Sequence, residues 1–190
     1  MTDALDIVWA SFDTPHPHFT PEAESAWPVG TSYDLATMKL LISTDNASQV
    51  VCPACSQRHV EEVISRPGEN GIVRNFIYCP EALRVEVPNA IVWQRTWNFM
   101  AIAEALTSGL TLFGSCRELI PDRLWRLGKL PQDTSREILL ARGLAWRDGQ
   151  NIVRHIGGQA IVLVAQHPLP QGLWKGRVPA LIPLARVAQL

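Results

Sequence analysis

Apolar and polar positions alternate with two different periods along the chain, and the change of period marks its organisation. From Ser48 the pattern is that of short strands. Ser48–Val51, His59–Ile64, Val73–Tyr78 and Leu83–Val87 are runs rich in Val, Ile and aromatics, separated by turn residues. Pro67-Gly68-Glu69-Asn70-Gly71 predicts a hairpin connection between the second and third runs. Leu83-Arg84-Val85-Glu86-Val87 alternates apolar and charged positions, as a half-buried strand does.

A helical period follows. Phe99, Ile102, Ala103 and Leu106 share one face of a helix predicted from about Trp97 to Ser108, with Gly109 as its stop. Ser115-Cys116-Arg117-Glu118 has capping-box form and predicts the start of a second, shorter helix. Pro121 tolerates helix only in a first turn, so 122–127 reads equally as helix or strand. Beyond it the pattern predicts a strand at Glu137–Ala141, a short helix at Asn151–His155 and a buried strand at Ile161–Val164. A Pro-rich passage from Pro168 to Pro183 closes the chain.

Ahead of the strands, Thr20-Pro21-Glu22 predicts an N-cap with proline at the first helical position. Trp9, Phe12, Phe19 and Trp27 are too many aromatics for a free tail, so this segment is expected to wrap over other structure. The resulting expectation is an α+β fold in three parts. Residues 1–47 form an N-terminal wrapping segment, and 48–92 an antiparallel β segment. Residues 93–190 form a helical, then small mixed α/β, half.

Composition narrows this picture. Hydrophobic residues make up 47% of the 190 positions and charged residues 18%, enough for a packed interior. No apolar run approaches the ~18 residues that span a bilayer. Asp3 and Asp6 occupy the place of a signal peptide's basic region, so a cytoplasmic location is expected. Four cysteines in such a chain point to reduced thiols or metal ligands rather than a disulfide framework. Charge is unevenly placed: residues 1–109 carry 6 Lys+Arg against 13 Asp+Glu, and residues 110–190 carry 11 against 5. One half therefore faces an anionic partner, or the two halves neutralise each other.

The chemistry-bearing residues are cysteines. Cys52-Pro53-Ala54-Cys55 places two thiols two residues apart, a spacing that folds around one metal ion. Cys79-Pro80-Glu81-Ala82 has the same form, with Ala82 where a second cysteine would stand. This segment, about residues 48–88, resembles a zinc ribbon with a degenerate second knuckle. The resemblance implies a zinc ion held by Cys52, Cys55 and Cys79. His59 is the favoured fourth ligand; Glu81 and Cys116 are the alternatives. A ribbon that keeps its cysteines as small buried hydrophobes without metal is the competing reading. A catalytic zinc with a water in the fourth position lacks the His-x-Glu and Pro-Cys-x-x-Cys pattern of zinc deaminases.

Other constellations carry less. His16-Pro17-His18 reads as a solvated loop. Asp133, Glu137 and Arg142 could suggest a nuclease-like strand, but no Glu-x-Lys or Asp-x-Lys pairing follows Pro121-Asp122. Nucleophile elbows, zincin motifs and glycine-rich phosphate loops are missing. The function expected from the sequence is therefore that of a non-enzymatic accessory or regulatory protein with structural zinc. Arg117, Arg123, Arg126, Lys129 and Arg136 would contact nucleic acid, Arg123, Arg126 and Lys129 forming a stripe along a helix. The alternative is an interaction subunit of a protein complex, docked through Trp174 and the proline-rich tail. A zinc-dependent hydrolase or nuclease-like enzyme comes third. No small-molecule substrate and no membrane partner are expected.

Overall fold

The structure, a computed structural model, describes residues 4–68, 71–165, 169–170 and 172–187. Asp3, Glu69, Asn70 and Pro168, which enter the reading above, lie outside the described residues. The chain opens with helices α1 (Ala4–Phe12), α2 (Pro21–Ser25) and α3 (Thr31–Thr37). Strands β1 (Leu41–Ser43), β2 (Gln49–Val51), β3 (Val60–Glu62), β4 (Ile64–Pro67), β5 (Val73–Cys79) and β6 (Leu83–Val87) follow. Next come α4 (Asn89–Val92), β7 (Arg95–Trp97), α5 (Phe99–Gly109), β8 (Arg117–Ile120), β9 (Leu124–Leu130) and β10 (Asp133–Ala141). The last elements are α6 (Gly149–Val153), β11 (Ile161–Val164), β12 (Ala180–Pro183) and α7 (Leu184–Val187). The fold class is α+β. The longest helix has 11 residues, and among the described residues no helix is long and apolar enough to cross a membrane.

The sequence divides at 47/48 and 92/93, whereas packing gathers the chain into two compact units. One comprises Met1–Pro17, Thr37–Leu40 and Trp97–Leu190; the other comprises His18–Ala36 and Leu41–Thr96. Residues 4–17 thus pack with the C-terminal elements.

The larger unit is built on a mixed five-stranded sheet in the order β12-β11-β10-β9-β8. Strands β8, β9 and β10 are antiparallel neighbours, while β11 runs parallel to β10 and to β12. Ile161–Val164 is buried along its whole length, which is why it reads as a continuous apolar run rather than an alternating one. Leu124, Leu139, Val162 and Leu144 form the centre of one apolar cluster. Elsewhere in the unit, Phe12 stacks edge-on against Phe99 with ring centroids 5.5 Å apart, and Phe99 meets Trp125 at 6.1 Å.

A buried arginine ties the N-terminal segment into this unit. Arg142, 2% exposed, donates to the carbonyls of Phe12, Thr14, Pro15 and Asp122. Its guanidinium lies 4.0 Å from the Phe99 ring centre. Burial pulls its pKa down to about 10, against the opposing fields of Asp13 and Asp122. Asp13 accepts the Gly143 N–H at 2.8 Å, and its own pKa is raised, chiefly by burial.

Several sequence expectations are corrected here. The capping-box segment Ser115–Glu118 does not start a helix: 117–120 is strand β8. Glu118 accepts the Asp122 N–H at 2.8 Å instead of reaching back toward Ser115. The ambiguous 122–127 stretch is strand from Leu124 onward, entered by a hairpin turn closed by Arg123 N–H to Ile120 C=O at 3.1 Å. Pro121 fits its second position, and Asp122 takes a left-handed φ of 53° at its third. Helix α5 begins two residues later than expected, because the Asn98 side chain caps Ala101 N–H at 3.1 Å and Trp97 belongs to β7. Phe99, Ile102 and Ala103 are buried, but Leu106 is only half-buried. Helices α1 and α3 were not anticipated.

The smaller unit holds the two-stranded pair β2-β3 and the three-stranded sheet β4-β5-β6, all antiparallel. The expected run His59–Ile64 is split between β3 and β4 at Val63. The expected hairpin joins β4 to β5, with Gly68 N–H donating to Ile72 C=O at 2.7 Å. In β6 the alternation fails at its first residue: Leu83 is exposed with a φ of 59°, and only Val87 is fully buried. Thr20 caps α2 as expected, accepting Ala23 N–H at 3.2 Å.

Candidate metal centre

Three short pieces of the smaller unit deliver the cysteines to one place. Cys52 follows β2, Cys55 closes the turn after it, and Cys79 ends β5. Their Sγ atoms lie within 4.8 Å of one another. The turn is held by the Cys52 N–H, which donates to the His59 C=O at 2.7 Å. Arg58 takes a left-handed φ of 54°, and the chain then re-enters β3 opposite β2.

His59 is brought in by this return. Its Nδ1 lies 3.6 Å from Cys55 Sγ and 3.6 Å from Cys79 Sγ. Glu81 is also close, its carboxylate forming a second group with Cys55 and His59 within 4.8 Å. Cys116 belongs to the other unit. Ala82, in place of a thiol, contributes its backbone: the N–H groups of Ala82 and Glu81 both donate to Cys79 sulfur. Sequence reasoning overlooked these two amides, although Cys-Pro followed by two residues is the signal for such a turn.

Burial and hydrogen bonding set the thiols apart. Cys52 and Cys79 are 3% and 2% exposed, within an apolar cluster that includes Val50, Ile77, Val87 and Val92. Cys55 is lowered to about 7, first by the hydrogen bond from the His59 backbone. Cys79 is lowered by the Ala82 N–H, but burial and its bonds with Cys55 and Cys52 outweigh this, leaving it above the ordinary thiol value. Small buried hydrophobes need only the burial. An imidazole nitrogen placed between two of the sulfurs is not required by packing, and it makes the group a candidate metal site. A cavity of about 540 Å³ opens beside Cys52 and Cys55, with Arg58 and Glu22 at its edge.

The five expected nucleic-acid contacts are placed differently from one another. Arg123, Arg126 and Lys129 do not form a helical stripe, because they lie on and just before strand β9. Arg117 and Arg126 are direct cross-strand partners. Arg126 pairs with Leu139, and Lys129 with Glu137, across a register shift near Gly128. That shift puts Arg117, Arg126 and Lys129 on one face of the sheet, since direct partners share a face. Arg126 is 3.7 Å from Glu137 on the same face.

Arg123 is engaged elsewhere. It binds Asp148 through two nitrogens at 2.9 and 3.1 Å, donates to Arg142 C=O and Gly143 C=O, and stacks on Trp146 at 4.2 Å. This holds the Asp148 carboxyl below its usual range. Arg136 donates to the Gln159 carbonyl at 3.0 Å. His16 and His18 are exposed, as a solvated loop predicts. Comparison with protein-family models, curated proteins and solved structures finds no match to this chain.

Proposed function

We propose that the protein is a non-enzymatic accessory or regulatory protein whose smaller unit is held by a structural zinc ion. Cys52, Cys55, Cys79 and His59 are the ligands, in a zinc-ribbon-like arrangement. The observation that carries this reading is the position of His59 Nδ1, 3.6 Å from two sulfurs. A tetrahedral ion ~2.3 Å from sulfur and ~2.05 Å from nitrogen sets its S···N edges at ~3.6 Å, which matches the two spacings of His59 to Cys55 and Cys79. His59 thus takes the coordination corner that Ala82 leaves open. Three thiols and an imidazole suit a reducing compartment such as the cytoplasm. The test is cobalt substitution in the full chain. Charge-transfer and d–d bands of a tetrahedral three-sulfur, one-nitrogen site support the reading; an octahedral spectrum, or none, counts against it.

The larger unit supplies the anionic-partner side of the function. Placing Arg117 directly opposite Arg126 sets like charges side by side, which costs stability in a sheet. Glu137, 3.7 Å from Arg126, offsets part of that cost, and a polyanion bound across the pair relieves the rest. Nucleic-acid phosphates bound by Arg117, Arg126 and Lys129 give sequence-independent affinity that falls steeply with salt. A filter-binding titration on generic duplex and single-stranded DNA and RNA at ~50 mM salt tests it. Absence of binding there favours the interaction-subunit reading.

A further inference from the structure

The basic charge of the larger unit has a second centre, apart from the β9 face. A cavity of about 240 Å³ lies between the end of α6 and the segment before β12. Its floor is apolar, made by Val153, Ile156, Leu173 and Trp174. Its rim carries Arg154, Lys175 and Arg177, all exposed. Among the described residues none of these three cations is in an ion pair, and no carboxylate lines the cavity. The sequence explains why: after Asp148 the chain contains no Asp or Glu at all. A neutralising carboxylate would have to come from another element, and none lines the cavity.

Three cations of one sign around a concave apolar floor focus a positive potential into the cavity. Arginine's planar fork matches phosphate or carboxylate oxygens, and a lysine adds a point charge. The floor asks for an apolar or aromatic body, which Trp174 can stack or cover. A cavity of about 240 Å³ suits one ring rather than a dinucleotide. Arg177 is closely backed, since a Cβ on Gly158 would stand 3.2 Å from its own Cβ. We infer that this cavity binds a small organic anion, an aromatic or branched apolar body bearing a phosphate or carboxylate group. The cavity shares no lining residue with the cysteine cluster or with β9.

The full chain, labelled with ¹⁵N, is titrated with phenyl phosphate, benzoate and inorganic phosphate. The Trp174 indole resonance, assigned through Trp174→Phe, reports binding at the floor. We expect phenyl phosphate to shift that resonance, to bind at least tenfold more tightly than inorganic phosphate, and to weaken with salt. The double variant Arg154→Ala/Arg177→Ala, altered only at exposed positions, is expected to lose at least tenfold in affinity. No shift of the Trp174 resonance at millimolar phenyl phosphate or benzoate overturns the proposal, whether or not the variant folds. Equal binding of inorganic phosphate and phenyl phosphate also overturns it, because the apolar floor then contributes nothing. So does undiminished affinity in the folded double variant.

Discussion

The Nδ1 atom of His59 stands 3.6 Å from the Sγ of Cys79, a residue 20 positions further along the chain. The turn after Cys52 and the end of β5 meet there, which brings an imidazole beside the cysteine cluster. If His59 is the fourth ligand, His59→Ala should weaken zinc binding by more than ~100-fold, beyond the ~10–100-fold cost of losing a ligand's hydrogen-bond partner. Glu81→Ala should change affinity by only a few-fold. Competition titrations against a chromophoric chelator measure both, and a reversed order would assign the site to Glu81.

Metal retention should fall on acidification. The thiols must be deprotonated to bind, so protons compete with the ion at lower pH. Cys79, with a pKa above the ordinary thiol value, is protonated in the metal-free site at neutral pH and must release its proton on binding. Cys55, with a pKa of about 7, adds a second competing proton as the pH falls through that value. Apparent affinity should therefore decrease with falling pH from pH 8 and steepen below about pH 7. Chelator competition across that range measures it, and an affinity that does not vary with pH would contradict the assignment.

Core substitutions should separate residues that look alike in sequence. Leu139 is 2% exposed at the centre of its cluster, so Leu139→Ala should cost ~2–5 kcal/mol in chemical denaturation. Leu106, on the predicted helix face, is only half-buried and borders an apolar groove with Leu5, Val8 and Ile102. Leu106→Ala should cost less than ~2 kcal/mol.

These differences show what the sequence carries. Ile161–Val164 and Leu83–Val87 are found at their expected bounds, because an apolar run and an alternating run each have one reading at that length. Segment 115–127 did not, because capping-box letters serve a hairpin equally well once Glu118 bonds the Asp122 amide. The cysteine cluster was legible from spacing, and so was His59. The grouping of Arg117, Arg126 and Lys129 was not, since it depends on the register shift near Gly128. Helix α1 was hidden because its Phe12 packs on rings as distant in sequence as Phe99 and Trp125.

The β9 face gives its own contrast. Arg117→Ala and Arg126→Ala should each lower the slope of log affinity against log salt by ~1 for any nucleic acid. Arg123→Ala should leave that slope unchanged and instead reduce stability, because Arg123 is held by Asp148, Trp146 and two carbonyls. Salt titrations and thermal melts of the same three variants measure both effects. An unchanged slope for Arg117→Ala and Arg126→Ala would remove that face from the binding surface.

Elemental analysis of the natively purified full chain tests the central claim most directly. The account predicts one zinc per chain, lost in Cys79→Ser. Zinc-free native protein that stays fully folded after zinc is offered, with no ion taken up, would contradict it.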